Sequence, residues 1–411
     1  MINAGSVFYK AFRSFILLGL ATFWVVRFEP APCDIAFALA GVAWLVHRIT
    51  CRTMNSLEIT DWLLLGFLAT GWVGLAYAPS LSKGIKFAGI TTYLAVFYYL
   101  VKEASSDHSF RKRIILLYLG SALITTGLIW LTAMVSPFWQ MPGISLLIHD
   151  SGRATALFKD PNVTGIFIVP VALYFLEKSL RNAKPAGVTA LFLFPLCAVF
   201  LSASRGALLS LGLGCLMLFW LTPSTWRKRF SLVVFTVLSV ELLSFTLAFY
   251  PAHIVSSMGR VFPHISLFRH VVTEGSPPEA KMLKSYPAGL VQHYDREGRI
   301  YAWWAGIEIF KSRPVLGTGP GSFESLSPAI EERLGATVST PSAHNTYIRV
   351  LAENGISGFV LLLSFFIFAW RRDRYPDENL WIKAALAALL FNSFFIDSLH
   401  HRHLWLLLAL L

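Results

Sequence analysis

An all-α, polytopic membrane protein of about 12 transmembrane helices is the expectation from this sequence, and three observations carry it. Of 411 residues, 55% are hydrophobic and only 14% are charged, with mean hydropathy +0.59; soluble domains carry about 25% charge. The apolar residues fall mostly in runs near the length that crosses a bilayer, about 20 residues each. Lys and Arg collect in alternate gaps between those runs, the asymmetry that sets orientation in a membrane. The 33 Phe and 13 Trp fit the same solvent, since Trp favours the bilayer interface.

The elements follow in chain order. Phe15 to Val26 lies in the first run, 14–27; no small-residue cleavage signal follows it, so it reads as a retained helix and not a signal peptide. Runs at 31–47, 59–78, 85–101 and 113–135 come next. An outer gap from Ser136 to Asn162 holds Asp160-Pro161-Asn162, a turn signal. Runs at 163–177, 186–203, 206–222 and 230–250 follow, with Ser202-Ala-Ser-Arg205-Gly206 as a tight corner between two of them. The last are 346–370, 379–396 and 403–411. The final run is too short to span alone: it is a short last helix, or the native C-terminus continues. The chain divides into 1–250 with helices 1–9, a loop domain at 251–344, and 345–411 with helices 10–12. No internal repeat, broken helix or low-complexity tract is evident.

Gaps assigned to the cytoplasm hold 17 Lys and Arg, among them Arg111-Lys112-Arg113 and Arg227-Lys228-Arg229; the alternate short gaps hold 7. That places the N-terminus inside. By parity the 94-residue stretch from Pro251 to His344, rich in Pro and Gly, lies outside. Long loops in compact domains are usually functional. Within it Tyr301–Lys311 reads as an amphipathic helix, ending before Pro314 and the turn Gly317-Thr-Gly-Pro-Gly-Ser-Phe323. The net charge of +12 would point a soluble protein toward nucleic acid. Here the basic residues sit between spans, so anionic headgroups or lipid pyrophosphates are the expected partners, and nucleic acid is not. Cys33, Cys51, Cys197 and Cys215 are scattered without a CxxC, which predicts neither a disulfide framework nor a metal cluster.

Four polar features gather on the outer side: Arg153 with Asp160 and Asn162; the Arg205 corner; Arg299, four residues before Trp303; and His344-Asn345, ahead of a helix carrying Arg349 and Glu353. Each also has a plainer reading. Arg205 could be a snorkelling interface anchor. Arg299 could pair with Glu297 or Asp295, and His344 or Asn345 could cap the helix near Thr346. Asp397 ends an apolar run, where it could orient His344, balance an arginine, or do neither. His400, His401 and His403 lack a surrounding carboxylate or Cys pattern, so they are placed in the headgroup region rather than at a metal.

Order and spacing join these features. From about Arg153 to Gly358 the chain resembles the O-antigen ligase family of the O-antigen ligase/polymerase superfamily. The matching residues are Ser204 to Ala207, then Arg299-x-x-x-Trp303 leading to Pro314, Gly317, Gly319, Gly321 and Phe323, then His344-Asn345 and Glu353-Asn-Gly-Ile-Ser-Gly358. The resemblance implies a GT-C-type glycosyltransferase of the bacterial inner membrane with its site on the periplasmic face. It implies transfer of a glycan from undecaprenyl pyrophosphate to the lipid A-core oligosaccharide. Arg205 and Arg299 then bind pyrophosphate, and His344 works at the acceptor. Arg153, Asp160, Asn162, Trp303, Asn345 and Asp397 are the expected substrate-binding residues. An O-antigen polymerase is the near alternative; protein O-oligosaccharyltransferases usually have a longer C-terminal part.

The chemistry agrees. An acceptor hydroxyl attacks an anomeric carbon as pyrophosphate leaves, and arginines suit the growing charge because they are permanently cationic and bidentate toward phosphate. With no D-x-D pair in the sequence, metal-independent chemistry without a cofactor is expected. A histidine accepts a hydroxyl proton near neutral pH, and in-line attack inverts the anomeric centre. A transporter is the alternative of another class, disfavoured by the lack of inverted repeats and broken helices.

Overall fold

The computed structural model describes residues 4–52, 56–135, 146–149, 153–182, 186–248, 288–336, 342–373, 375–376 and 378–411. Among these the chain is helical with no strand, apart from one isolated bridge between Ile148 and Ala154. The first nine helices are α1 (Ala4–Ala21), α2 (Pro32–Cys51), α3 (Ile59–Gly74), α4 (Leu81–Ala104), α5 (His108–Val135), α6 (Pro161–Arg181), α7 (Ala186–Leu201), α8 (Arg205–Leu221) and α9 (Trp226–Ala248). After them come α10 (Ala288–Ser312), α11 (Phe323–Arg333), α12 (Thr346–Arg371), α13 (Leu380–Asn392) and α14 (Arg402–Leu410).

Among the described residues, six helices are long and apolar enough to cross a membrane: α2, α3 with its added turn to Tyr77, α4, α5, α6 and α12. Three shorter apolar helices lie at Gly187–Leu201, Arg205–Leu221 and Leu380–Asn392. This is a multi-pass membrane protein. The surface of α2 shows its solvent: Ile35, Leu39, Val42, Leu45 and Ile49 form an exposed apolar stripe at helical spacing, while Cys33, Ala36, Phe37, Ala40 and Ala43 turn inward. An outward stripe of branched aliphatics with small residues at the contact is the pattern of a helix in lipid. Gly19 of α1 lies against the Phe37 ring, so a side chain there would push the two helices apart.

Contacts between helix ends fall in two sets. In one, Asp34 of α2 binds Arg402, the α1–α2 turn meets residue 157 through Val26 N–H to Leu157 C=O (3.0 Å), and Lys83 reaches Glu324. In the other, Lys102 contacts Asp61 (2.7 Å) and Glu58 (3.1 Å), and Lys228 donates to Leu180 C=O (2.7 Å). α6 is the most buried of the six candidate spans and packs on α5, α7, α8 and α13.

Two boundaries differ from expectation. α1 begins near Ala4, well before the apolar run, carrying Lys10 and Arg13 on its first turns, and ends at Ala21. α13 ends at Asn392, so the run 379–396 is a helix plus the start of a turn. The final run forms a short helix, and Leu404 to Leu411 are buried against α4, α12 and α13. Its terminal carbonyls accept hydrogen bonds from Arg111 (Leu410, 3.2 Å) and Arg372 (Leu408, 3.3 Å), which neutralises the partial negative charge of a helix end.

The span expected at 346–370 is broken. Gly355 has φ 65 and ψ −170 inside α12. The groups freed there are sewn to the turn after α10. Thr318 and Gly319 N–H donate to Ala352 and Glu353 C=O (3.0 and 2.9 Å), and Ile356 and Ser357 N–H donate to Pro314 and Val315 C=O (2.8 and 3.2 Å). A break at such a place persists only where the backbone is re-satisfied. Because the turn occupies it, this broken helix does not argue for a transport site.

Candidate active site

The site forms where α6, α7, α8, α10 and α13 meet. Asp160 caps α6 by accepting from Asn162 N–H (2.6 Å), with Pro161 at the first helical position. Ser204 caps α8 by accepting from Ala207 N–H (3.3 Å), which makes Arg205 the first residue of that helix. Gly165 lets α6 touch this corner: a Cβ there would stand 2.7 Å from Ser202 Oγ and 3.1 Å from Ser204 Cβ. Arg153 bolts the preceding segment in place, donating from Nε to Ser202 C=O (3.1 Å) and from Nη2 to Asn162 Oδ1 (3.0 Å).

These contacts build a pocket of about 570 Å³ whose polar lining includes Arg153, Asn162, Arg205, Arg299 and Asn392. Three arginines, drawn from distant parts of the chain, line it, and among the described lining residues there is no carboxylate. Arg205 also stands at a helix N-terminus, where the backbone adds partial positive charge. Planar guanidinium forks in such a cavity suit a polyanion that accepts in a bidentate manner. Asn392 was not anticipated; its buried Nδ2 has no hydrogen-bond partner, so it offers one more donor. The only trace of it in the sequence is an amide inside an apolar run.

The plainer readings separate here. Arg205 faces a polar pocket. For Arg299, the side chains of Asp295 and Glu297 lie outside the described residues; the arginine itself is half-buried and lines the pocket. Asn345 is the cap of α12: its Oδ1 accepts from Tyr347 and Ile348 N–H (3.0 and 3.1 Å). His344 precedes the cap, half-buried, with φ 47. It does not line the arginine pocket; two residues on, Thr346 touches the segment that walls it. Thr346 N–H donates to Ser393 C=O (2.9 Å) and Thr346 Oγ1 to Ile396 C=O (3.1 Å), and Asn392 and Ile396 are pocket walls.

Asp397 balances an arginine. Its carboxylate pairs with Arg349, whose Nη2 also donates to Glu324 (2.6 Å) and whose Nε lies 3.4 Å from Glu353. The guanidinium centre sits 4.4 Å from the centroid of the Phe87 ring. Burial raises the Asp397 carboxyl, but Arg349 and His400 outweigh it and hold the group below the usual range. A buried guanidinium needs such partners; the cluster ties α11, α12 and the turn before α14 together. Trp303 lies one turn beyond Arg299 on α10, half-buried, with an unpartnered buried Nε1. α10 reaches α12 closely because Gly306 abuts Ile348.

His400, His401 and His403 do not sit exposed at a headgroup surface. His400 stacks on Phe87 with centroids 5.6 Å apart and its Nε2 lies 3.3 Å from Thr91 Oγ1, within the body of α4. His403 is 3% exposed. The short helix packs inward and carries them with it.

Residues 190–363 match the family model described as O-antigen ligase. Over 113 residues the chain is 29% identical to the exopolysaccharide production protein ExoQ of Rhizobium meliloti, a stretch covering 24% of this chain and 26% of that protein. The chain thus spans about a quarter of the length of that curated relative. Over 190–363, the stretch that holds Arg205, Arg299, His344, Arg349 and Glu353, this chain resembles the O-antigen ligase family.

Proposed function

We propose that the protein is a glycosyltransferase of about 12 spans that moves a glycan from undecaprenyl pyrophosphate to the lipid A-core oligosaccharide, on the periplasmic face of the inner membrane. The observation that carries this is the three-arginine pocket. Arg205, Arg299 and Arg153 hold the pyrophosphate. The acceptor hydroxyl gives its proton to His344, its oxygen bonds to the anomeric carbon from the far side, and the bond from that carbon to the pyrophosphate oxygen breaks. Charge then grows on the leaving group under three fixed cations, and preorganised electrostatics of this kind is usually the largest catalytic term. Asn345 holds the backbone that presents His344, Asn162 shapes the wall, and Trp303, one turn beyond Arg299, meets the substrate outside the pocket. The arginines take the place a divalent ion has elsewhere, so the reaction is metal-independent and inverts the anomeric centre.

The test is transfer by the purified protein from undecaprenyl-pyrophosphate glycan to lipid A-core, with and without a chelator. Product in both arms is expected. Loss with chelator and recovery with a divalent ion would overturn metal independence, and no product in either arm would remove the ligase reading. The likeness to a protein named for exopolysaccharide production favours a second reading, a polymerase that uses a second lipid-linked glycan as acceptor. A deletion strain separates the two: loss of a ligase leaves complete core and stranded polymer, loss of a polymerase leaves core with one repeat.

A further inference from the structure

A second cavity, of about 610 Å³, lies beside the arginine pocket between the end of α1, the start of α6 and the start of α14. The N-terminus of α6 is shared: Asp160 lines this cavity, and Asn162 lines the other. The rings of Phe23, Phe158 and Phe167 supply apolar faces. The polar lining includes His401 and His403, stacked with centroids 5.5 Å apart. His401 Nδ1 and His403 Nε2 are buried with no hydrogen-bond partner. A buried, unpaired nitrogen is costly unless something completes it.

Among the described residues, the cations at this cavity are paired. Arg402 is held by Asp34 (Nη2 to Oδ2, 2.5 Å), and Lys159 is held by Glu29 (2.5 Å). Burial pushes the His401 imidazole down to about 4, against a smaller opposing pull from Asp397 and Asp160, so the ring is uncharged near neutral pH. Where the first pocket is built for an anion, this one offers neutral nitrogens, a carboxylate and aromatic faces. A pyranose ring matches all three. Its C–H faces stack on aromatic rings, and its hydroxyls, which donate and accept, complete an imidazole nitrogen in either tautomer.

We propose that this cavity is a glycan subsite that takes an uncharged pyranose of one of the two substrates, hydrogen-bonded by His401, His403 and Asp160. The proposal rests on the glycosyltransferase reading above. The sugar comes from the donor, adjoining its pyrophosphate, or from the acceptor, and the experiment distinguishes them.

The variants His401→Phe and His403→Phe keep the ring and remove its nitrogens. Affinity is measured on detergent-solubilised protein for three probes: sugar-free undecaprenyl pyrophosphate, undecaprenyl-pyrophosphate glycan, and lipid A-core. The expected result is a loss of tenfold or more for one glycan-bearing probe, with binding of sugar-free undecaprenyl pyrophosphate changed less than twofold. Loss for the donor glycan assigns the ring to the donor; loss for lipid A-core assigns it to the acceptor. Unchanged affinity for both glycan probes in folded variants overturns the subsite. If His403→Phe does not accumulate, the half-buried His401→Phe decides alone. Arg205→Ala is the control: it should weaken sugar-free undecaprenyl pyrophosphate, and its failure to do so would sink the glycosyltransferase reading and not the subsite.

Discussion

Arg205 and Arg299 reach one pocket from the start of α8 and from α10. If they hold pyrophosphate as planar forks, Arg205→Lys and Arg299→Lys keep the charge and lose the geometry. Each is expected to lower kcat about 10²–10³-fold, read by transfer assay at matched protein level; full activity in Arg205→Lys would return that residue to an interface anchor. His344 admits a sharper comparison than its sequence position allowed. Asn345 already caps α12, so a cap role for His344 is removed. At φ 47 asparagine is tolerated almost as well as histidine. His344→Asn should therefore fold, bind donor and lose about 10²–10⁴ in rate, like His344→Ala. An active Asn variant would end the general-base assignment.

At the scale of elements, the break in α12 and the turn that fills it form one unit. Gly355 has φ 65, and a Cβ there would collide with Val315 C=O. Gly355→Ala combines the strain of a backbone region that is essentially glycine-only, about 1–3 kcal/mol, with that collision, and should lower the melting temperature clearly. Gly120→Ala, inside α5 with nothing within 4 Å, is the matched control and should be neutral or stabilising by about 0.5–1 kcal/mol. The ion cluster under the break makes stability depend on acid. Asp397 is held below its ordinary range in the fold, so its contribution is present above the unfolded carboxylate value, about 3.9, and is lost as pH falls through the folded one. The part of thermal stability owed to Asp397 should be level down to about pH 5 and drop below about pH 4, on top of the loss that the uncharged His401 brings as pH falls from about 6.5 toward about 4. Asp397→Asn should start lower and fall less; an identical acid limb in both proteins would show that the carboxylate does not matter.

For the whole molecule, the proposed orientation puts the two sets of helix-end contacts on opposite sides of the membrane and says which is which. Cys51, exposed at the end of α2, belongs to the side read as cytoplasmic. A cysteine at the exposed position 332 of α11 belongs to the site side. In cells with a permeabilised outer layer, an impermeant thiol reagent should label Glu332→Cys at once and Cys51 only after lysis. The reverse order would invert the protein and move its chemistry to the cytoplasm.

Much of this was legible in one dimension. Apolar runs near 20 residues long mark helices because lipid leaves the backbone no other partner, and the caps at Asp160, Ser204 and Asn345 are local chemistry, two to three residues long. The arginines could be singled out because a guanidinium beside an apolar run needs a reason. What stayed hidden depends on partners far along the chain. The break at Gly355 exists because residues 314–319 complete its backbone, and hydropathy sees only an uninterrupted run. Asp397 finds Arg349, 48 residues away. The short helix α14 is buried because Arg111 and Arg372 stabilise its end from other elements; once buried, it carries His401 and His403 off the surface and into a cavity. Local periodicity encodes where a helix begins and which solvent it meets, whereas the walls of a pocket are set by packing between segments that share no sequence neighbourhood.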